Sequence, residues 1–462
     1  MKKLDKYSIM IVSKYLENIQ DFLNIILVCK AYSQTLDKFH YNPIPITTQT
    51  IKLFQNIETQ FVYSHSDLLL PTVSQYEVWY PVSICEALKY KNTIKKYKNI
   101  EISSIDTPFE TSEFQKYIYS IGDNAFCRQP ITSFNFPSKL TKLGESSFSH
   151  CSNLLSVELP PFIKLIKSHC FSNCSCLQTA ILSDNLTSLP NSCFQECRCL
   201  SILHLPSVLT SIGDLCFFQC NRITSIKLPQ TLKVLSKRSF GCCRGLEHIE
   251  FPDTLDIIGE ECFCFCNGLT EIQLPSQLKT LAKGAFTNCN SIKQIIIPLS
   301  VTKIPGCCFY QCASLSSIQF PSLLRSIGID AFSDCSRLTS VLFPNSLTTI
   351  ASSSFTRCFI LKNISFSSNL QTIHSNAFSG CSQLTSLVFP SNLHCIRPKA
   401  FKDCINLQRI SFSKTPLTIG EYAFSHCTSL TYVKGLTEKC LISSNAFEHV
   451  PIKVQSTGCI IS

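Results

Sequence analysis

Cys-Asn-Arg-Ile-Thr-Ser-Ile-Lys-Leu-Pro-Gln-Thr-Leu-Lys-Val-Leu-Ser-Lys-Arg-Ser-Phe, residues 220–240, carries the pattern that decides the fold. Ile226 and Leu228 alternate with Ser225 and Lys227, the two-residue period of a strand with one buried face. Pro229 stops that strand, because proline cannot donate a ladder hydrogen bond. Beyond it, Leu232, Leu235 and Phe240 stand at wider spacings. They predict a short strand or turn, then an irregular or short helical return.

The same pattern extends far on both sides. Phe recurs every 23 residues from Phe148 to Phe447 without a missed step, and Phe126 begins the series one residue out of register. Three residues after Phe stands Cys, from Cys151 to Cys427, until Val450 takes the place. The unit reads C-x-x-L-x-x-I-x-L-P-x-x-L-x-x-I-x-x-x-A/C-F. One unit cannot bury its apolar side alone. Stacking sets each apolar residue about 4.8 Å from its copy in the next turn. The unit resembles a leucine-rich repeat, and more closely the BspA-like branch, over roughly residues 105–450. That resemblance implies a β-rich repeat solenoid with one strand-lined face, used for binding proteins or surfaces without catalysis.

Composition agrees with a buried core. Of 462 residues, 45% are hydrophobic and only 16% charged, so the polar surface leans on Ser, Thr, Asn and Gln. The net charge of +10 is spread along the chain and falls short of a nucleic-acid footprint. No apolar run is long enough for a membrane helix. The start, Met1 to Val12, has no apolar signal region, so a cytosolic chain is expected. In that compartment the 29 cysteines are expected as thiols. The column position and the five cysteines before Phe (Cys170, Cys193, Cys216, Cys262, Cys308) exchange with small residues or hold one place in every unit. Both facts point to packing, with Cys as a small hydrophobe and weak donor. No C-x-x-C pair occurs, so zinc-ribbon spacing is missing, and no cofactor is expected.

The outward strand positions are the eighth and tenth after each Phe. The repeat does not dictate their identity, which leaves them free to recognise a protein ligand. One candidate patch is charged and mixed: His204, Lys227, His248, Glu250 and Glu271. A second is apolar: Ile296, Leu342 and Val388. The histidines show no ligand spacing, and no P-loop, G-x-G-x-x-G, G-x-S-x-G or kinase set is present. An enzyme is therefore not expected.

Residues 1–40 lack the repeat. Ile9, Val12 and Leu16, then Phe22, Ile25, Ile26 and Cys29, have helical spacing, with Asn18 to Asp21 as turn and N-cap. The segment resembles an F-box at Leu4, Tyr15-Leu16, Asp21-Phe22 and Val28-Cys29-Lys30. It departs from one at Asp5, where the family has proline, and at Ser8. The resemblance implies a ubiquitin-ligase adaptor as partner; the helical spacing by itself predicts a helical cap for the repeat. Residues 41–104 read as a packed linker or cap holding the single tryptophan, Trp79. Lys89, Lys91, Lys95, Lys96 and Lys98 there read as a solvated face rather than a nucleic-acid site. The repeat takes 105–452. Residues 453–462 form an expected flexible tail ending Cys459-Ile460-Ile461-Ser462, the C-a-a-X pattern of the farnesyl class. A prenyl group on Cys459 would bring the chain to the cytosolic face of a membrane.

Overall fold

The structure, a computed structural model, describes residues 6–13, 15–28, 32, 34, 36–89, 96–106, 115–413, 416–451 and 460–461. The chain forms two units, Met1–Cys127 with Asn135–Ser147, and Arg128–Phe134 with Phe148–Ser462.

The second unit is the repeat solenoid. Each turn begins with a three-residue strand, such as Thr179–Ile181, Ser225–Lys227 or Glu271–Gln273. Neighbouring strands pair in parallel at a 23-residue offset, so Thr179 lies opposite Ile202 and Glu271 opposite Gln294. The central residue of each strand faces inward, and Ile226, Ile249, Ile272 and Ile295 are buried. After the proline turn comes a two-residue strand, as at Val234–Leu235 and Ile257–Ile258. These short strands form a ladder of their own, with Ile212 opposite Leu235 and Leu235 opposite Ile258. The expected strand-lined face is thus joined by a second strand column. Of the two readings of the post-proline half, the short strand is the one the chain adopts.

The return segment makes a third ladder without being a strand. Residues two before and two after Phe lie in the left-handed region, among them Leu215, Gln219, Glu261, Phe265, Tyr422 and His426, with φ between 52° and 61°. This conformation costs roughly 1–2 kcal/mol for each residue with a Cβ. Hydrogen bonds between turns offset it. The Leu215, Phe217 and Gln219 N–H groups donate to the Lys237, Ser239 and Gly241 carbonyls at 2.9, 2.8 and 2.9 Å. Alternating handedness aims every second N–H at the next turn, so these backbone groups are satisfied without a strand.

Inside this frame the Phe rings stack face to face. Phe240–Phe263, Phe263–Phe286 and Phe286–Phe309 have centroids 5.6, 5.4 and 5.6 Å apart and planes within 9° of parallel. The Cys column has a bonding role as well as a packing one. Cys266, Cys289 and Cys312 Sγ donate to the carbonyls of Phe240, Phe263 and Phe286 in the turn before, at 3.1, 3.0 and 3.2 Å. Each of those carbonyls also accepts from the N–H three residues on in its own turn. A small apolar residue with one weak donor fits that place. All cysteines among the described residues are free thiols.

Where the pattern breaks, glycine enters. The position that holds Leu228, Leu274, Phe389 or Phe412 in other turns holds Gly435, with φ +93°. A Cβ there would overlap the Phe412 carbonyl oxygen. Repeat logic recommends leucine at 435; the backbone forbids it. Gly435→Leu is expected to lower stability by about 2 kcal/mol or more, by left-handed strain and backbone clash. Chemical denaturation of the two proteins checks this, and a more stable Leu variant would refute it.

The first unit starts with α1 (Lys6–Ser13) and α2 (Ile19–Val28). Asn18 caps α2, its Oδ1 accepting from the Asp21 N–H at 3.0 Å. Phe22 from α2 enters one core with Phe39, Ile44, Ile46 and Phe54, so the helical segment and residues 39–73 pack together. The stretch read as a linker contains parallel strands, Thr59–Val62, Gln75–Val78 and Lys96–Tyr97. Tyr41, Phe61 and Trp79 stack at 4.5 and 4.8 Å, and Lys98 Nζ lies 3.0 Å from the Trp79 ring centre. Lys96 pairs with Glu77 at 3.4 Å. Two members of the basic cluster therefore serve the fold. Lys91 and Lys95 lie outside the described residues, as do Leu4, Asp5, Cys29, Lys30 and Cys459. Ile460 and Ile461 are described, and they pair with Leu441 and Ile442 at the end of the short-strand ladder.

Candidate functional site

Strand geometry decides which side chains leave the core. In a three-residue strand with its centre buried, the first and third residues must point out. His204, Lys227, His248, Glu250, Glu271, Ile296, Leu342 and Val388 are all first or third residues, and all are exposed.

Their grouping differs from the two patches drawn on the sequence. Lys227 stands opposite Glu250, and its Nζ lies 2.9 Å from Glu250 Oε2. His248 shares the Glu250 strand and lies opposite Ser225. Glu271 stands opposite Gln294 in the following turn. These residues form one charged region. Ile296, Leu342 and Val388 do not meet. Gln319 stands opposite Ile296, Ser365 opposite Leu342, and Ser411 opposite Val388. Two turns, about 9.6 Å, separate each apolar residue from the next.

Beside the outward strand residues run the turns that follow proline, and the two together wall a trough. One cavity of about 830 Å³ is lined by Asp253, Glu271, Gln273, Gln294, Ile296 and Leu299, among others. A second, of about 650 Å³, is lined by His248, Glu250, Asp253, Glu271 and Gln273. They share Asp253, Glu271, Gln273 and Leu274, so they are parts of one depression crossing three turns. A third cavity, of about 360 Å³, is lined by His204, Lys227 and Gln230. The far wall was missed in reading the sequence. Asp253, Ser276 and Leu299 directly follow Pro252, Pro275 and Pro298, and their variation at one repeat position was the available signal.

The region presents carboxylates, amides and exposed aliphatic groups on a hydrogen-bonded ladder. Among the described residues no group of three or more His, Cys, Asp or Glu is placed to hold a metal ion. No described helix is long and apolar enough to cross a membrane.

The family described as BspA type leucine rich repeat region (6 copies) matches residues 119–247, 233–361 and 348–457. A leucine-rich repeat protein of Bacteroides ovatus has a similar solved structure, at 24% identity and TM-score 0.50, covering 69% of this chain and 88% of that one. A leucine-rich cell surface protein of Faecalibacterium prausnitzii is 21% identical, with TM-score 0.32, over 82% of this chain and 87% of that one. A leucine-rich repeat protein of Eubacterium ventriosum is 20% identical, with TM-score 0.38, over 78% and 85%. No curated protein matches.

Proposed function

Because this chain belongs to the BspA-type leucine-rich repeat family, we propose that it is a non-catalytic interaction scaffold or adaptor. Its strand face binds a protein partner. The observation that carries this reading is the pair of exposed columns on the long strands, whose residue types the repeat leaves open. They stand on a backbone held by hydrogen bonds between turns, so little ordering is needed when a partner docks.

The triple change His248→Ala, Glu250→Gln and Glu271→Gln tests the charged region. It is expected to leave the melting curve intact, since these side chains point away from the core, and to release partners captured by the wild-type chain in cells. Retention of every partner by this variant, and by Ile296→Ser, Leu342→Ser and Val388→Ser together, would move the binding site off the strand face.

Cys459 in Cys-Ile-Ile-Ser supports a finer reading, prenylation and recruitment to the cytosolic face of a membrane. The paired Ile460 and Ile461 must leave the ladder for a transferase to reach that thiol. Two residues at a ladder end are held weakly, so this opening is cheap. A single lipid chain binds membranes weakly and reversibly. The wild type is therefore expected in both membrane and soluble fractions, and Cys459→Ser in the soluble fraction alone. Equal distributions, or an unmodified tail peptide by mass spectrometry, would remove this reading.

A second reading, an F-box-like substrate receptor of a ubiquitin ligase, is favoured by one observation. Ile11, Val12, Tyr15, Leu27 and Val28 in and beside the two helices are exposed, and an adaptor would cover such an apolar set. Recovery of the ligase adaptor in the same capture, and its loss with Leu27→Ser and Val28→Ser, would establish this role; its absence would leave the scaffold.

A further inference from the structure

The trough offers more than a general docking face. We propose that its part between Glu250 and Leu299 takes a polyproline II segment of a protein partner, with Lys or Arg three residues from an aliphatic residue. This rests on the reading that the strand face binds a protein.

Charge selects one end of the ligand. Glu250, Asp253 and Glu271 line the trough, and no Lys or Arg lines either of its two cavities. Glu250 is occupied by Lys227 at 2.9 Å. Asp253 and Glu271 have no ion-pair partner among the described residues, so they are the carboxylates open to a ligand cation. The other end is apolar. Ile296 and Leu299 flank Pro298 in a single turn and are 61% and 65% exposed.

Spacing then selects the backbone form. Asp253 and Leu299 hold the same repeat position two turns apart, about 9.6 Å by the strand spacing. In polyproline II, residues three apart lie on the same side and about 9.3 Å along the axis. In an extended strand, residues three apart point to opposite faces, and those two apart reach only about 6.6 Å. The trough runs across stacked turns, with Glu271–Gln273 paired to Gln294–Ile296 and that strand to Ser317–Gln319, so the ligand meets no free sheet edge along them. Recognition must come from side chains. Gln273, Gln277 and Gln294 supply amides along the trough. A polyproline II chain, with no internal hydrogen bonds, offers them free carbonyls. A helix keeps its backbone groups to itself and would leave these amides unused.

The test uses the full chain and two fluorescein-labelled peptides, Pro-Pro-Lys-Pro-Pro-Leu-Pro-Pro and Pro-Pro-Leu-Pro-Pro-Lys-Pro-Pro, read by fluorescence polarisation. At least one order is expected to bind saturably and to weaken as salt is raised. Asp253→Asn with Glu271→Gln, and separately Ile296→Ser with Leu299→Ser, are each expected to weaken binding about fivefold or more, in line with loss of one anchoring contact. Exchanging the peptide lysine for glutamate should do the same. Asp330→Asn, outside the trough, should change nothing. Unchanged melting curves show that the variants fold. Absence of saturable binding by either peptide overturns the proposal, as does binding that both trough variants retain. If the peptides fail while the strand-face triple change still releases cellular partners, the ligand class is wrong and the binding face stands. If that change also releases nothing, the reading of the face falls with it.

Discussion

Raising the pH from 8 to 10 under reducing conditions is expected to unfold the repeat region cooperatively. Burial pushes the thiols of Cys262, Cys264 and Cys312 up to about 12. It also raises the column thiols Cys197, Cys220, Cys243, Cys266, Cys289, Cys335, Cys358, Cys381 and Cys404. In the unfolded chain a thiol titrates near 8.5. Below that pH both states keep the proton and stability is unaffected. Above it the unfolded state binds fewer protons, so stability falls as pH rises toward the folded values. At pH 9.5, one unit above the unfolded value, a thiol that keeps its proton in the folded chain favours unfolding by about 1.4 kcal/mol. These losses add along the column, and a handful of thiols that keep their proton in the folded chain is enough to approach the roughly 5–15 kcal/mol that holds a typical domain. Circular dichroism against pH measures it. A signal unchanged to pH 10.5 would mean that the thiols do not sit in the core. Alkylation at pH 8 gives an independent check. Cys176 and Cys199 are exposed and should react first, while the buried column reacts only after denaturation.

Phe263→Ala is expected to cost about 3–5 kcal/mol, the range for a large side chain removed from a full core. Phe263 is fully buried, stacks on Phe240 and Phe286 at 5.6 and 5.4 Å, and meets the edge of Phe251 at 5.7 Å. Its carbonyl also accepts the Cys289 thiol. The cavity would interrupt a continuous column, so both neighbouring turns lose a partner and the damage spreads beyond one unit. Phe263→Leu, which keeps much of the volume, should cost less than half as much. Urea titration of the three proteins supplies the comparison. Equal midpoints for wild type and Ala would place Phe263 outside the core.

Phe148 to Phe447 were legible as a column because a fixed 23-residue period and one residue type leave a single economical arrangement, with like placed on like. The Cys column followed from one place held in every unit from Cys151 to Cys427, and the cysteines before Phe from their exchange with Ala and Ser. The outward residues followed from strand alternation, which is a property of the backbone itself. The left-handed positions were not legible. Leu215 and Phe265 carry side chains that disfavour positive φ, and hydrogen bonds from their N–H groups to the next turn hold them there. Ile296, Leu342 and Val388 share an outward column, but Gln319 and Ser365 stand between them and keep them from forming one apolar patch.

Sequence alone thus determined the repeating unit, its buried and exposed columns and the thiol character of the interior, because periodicity and side-chain type act locally and recur. Tertiary structure alone decided the third ladder through the return segments, the place at 435 that only glycine fits, and the trough that brings Asp253 and Leu299 beside the strand face. Those features depend on where the backbone of one turn runs past another, and nearness of that kind is set by the whole stack rather than by any one unit.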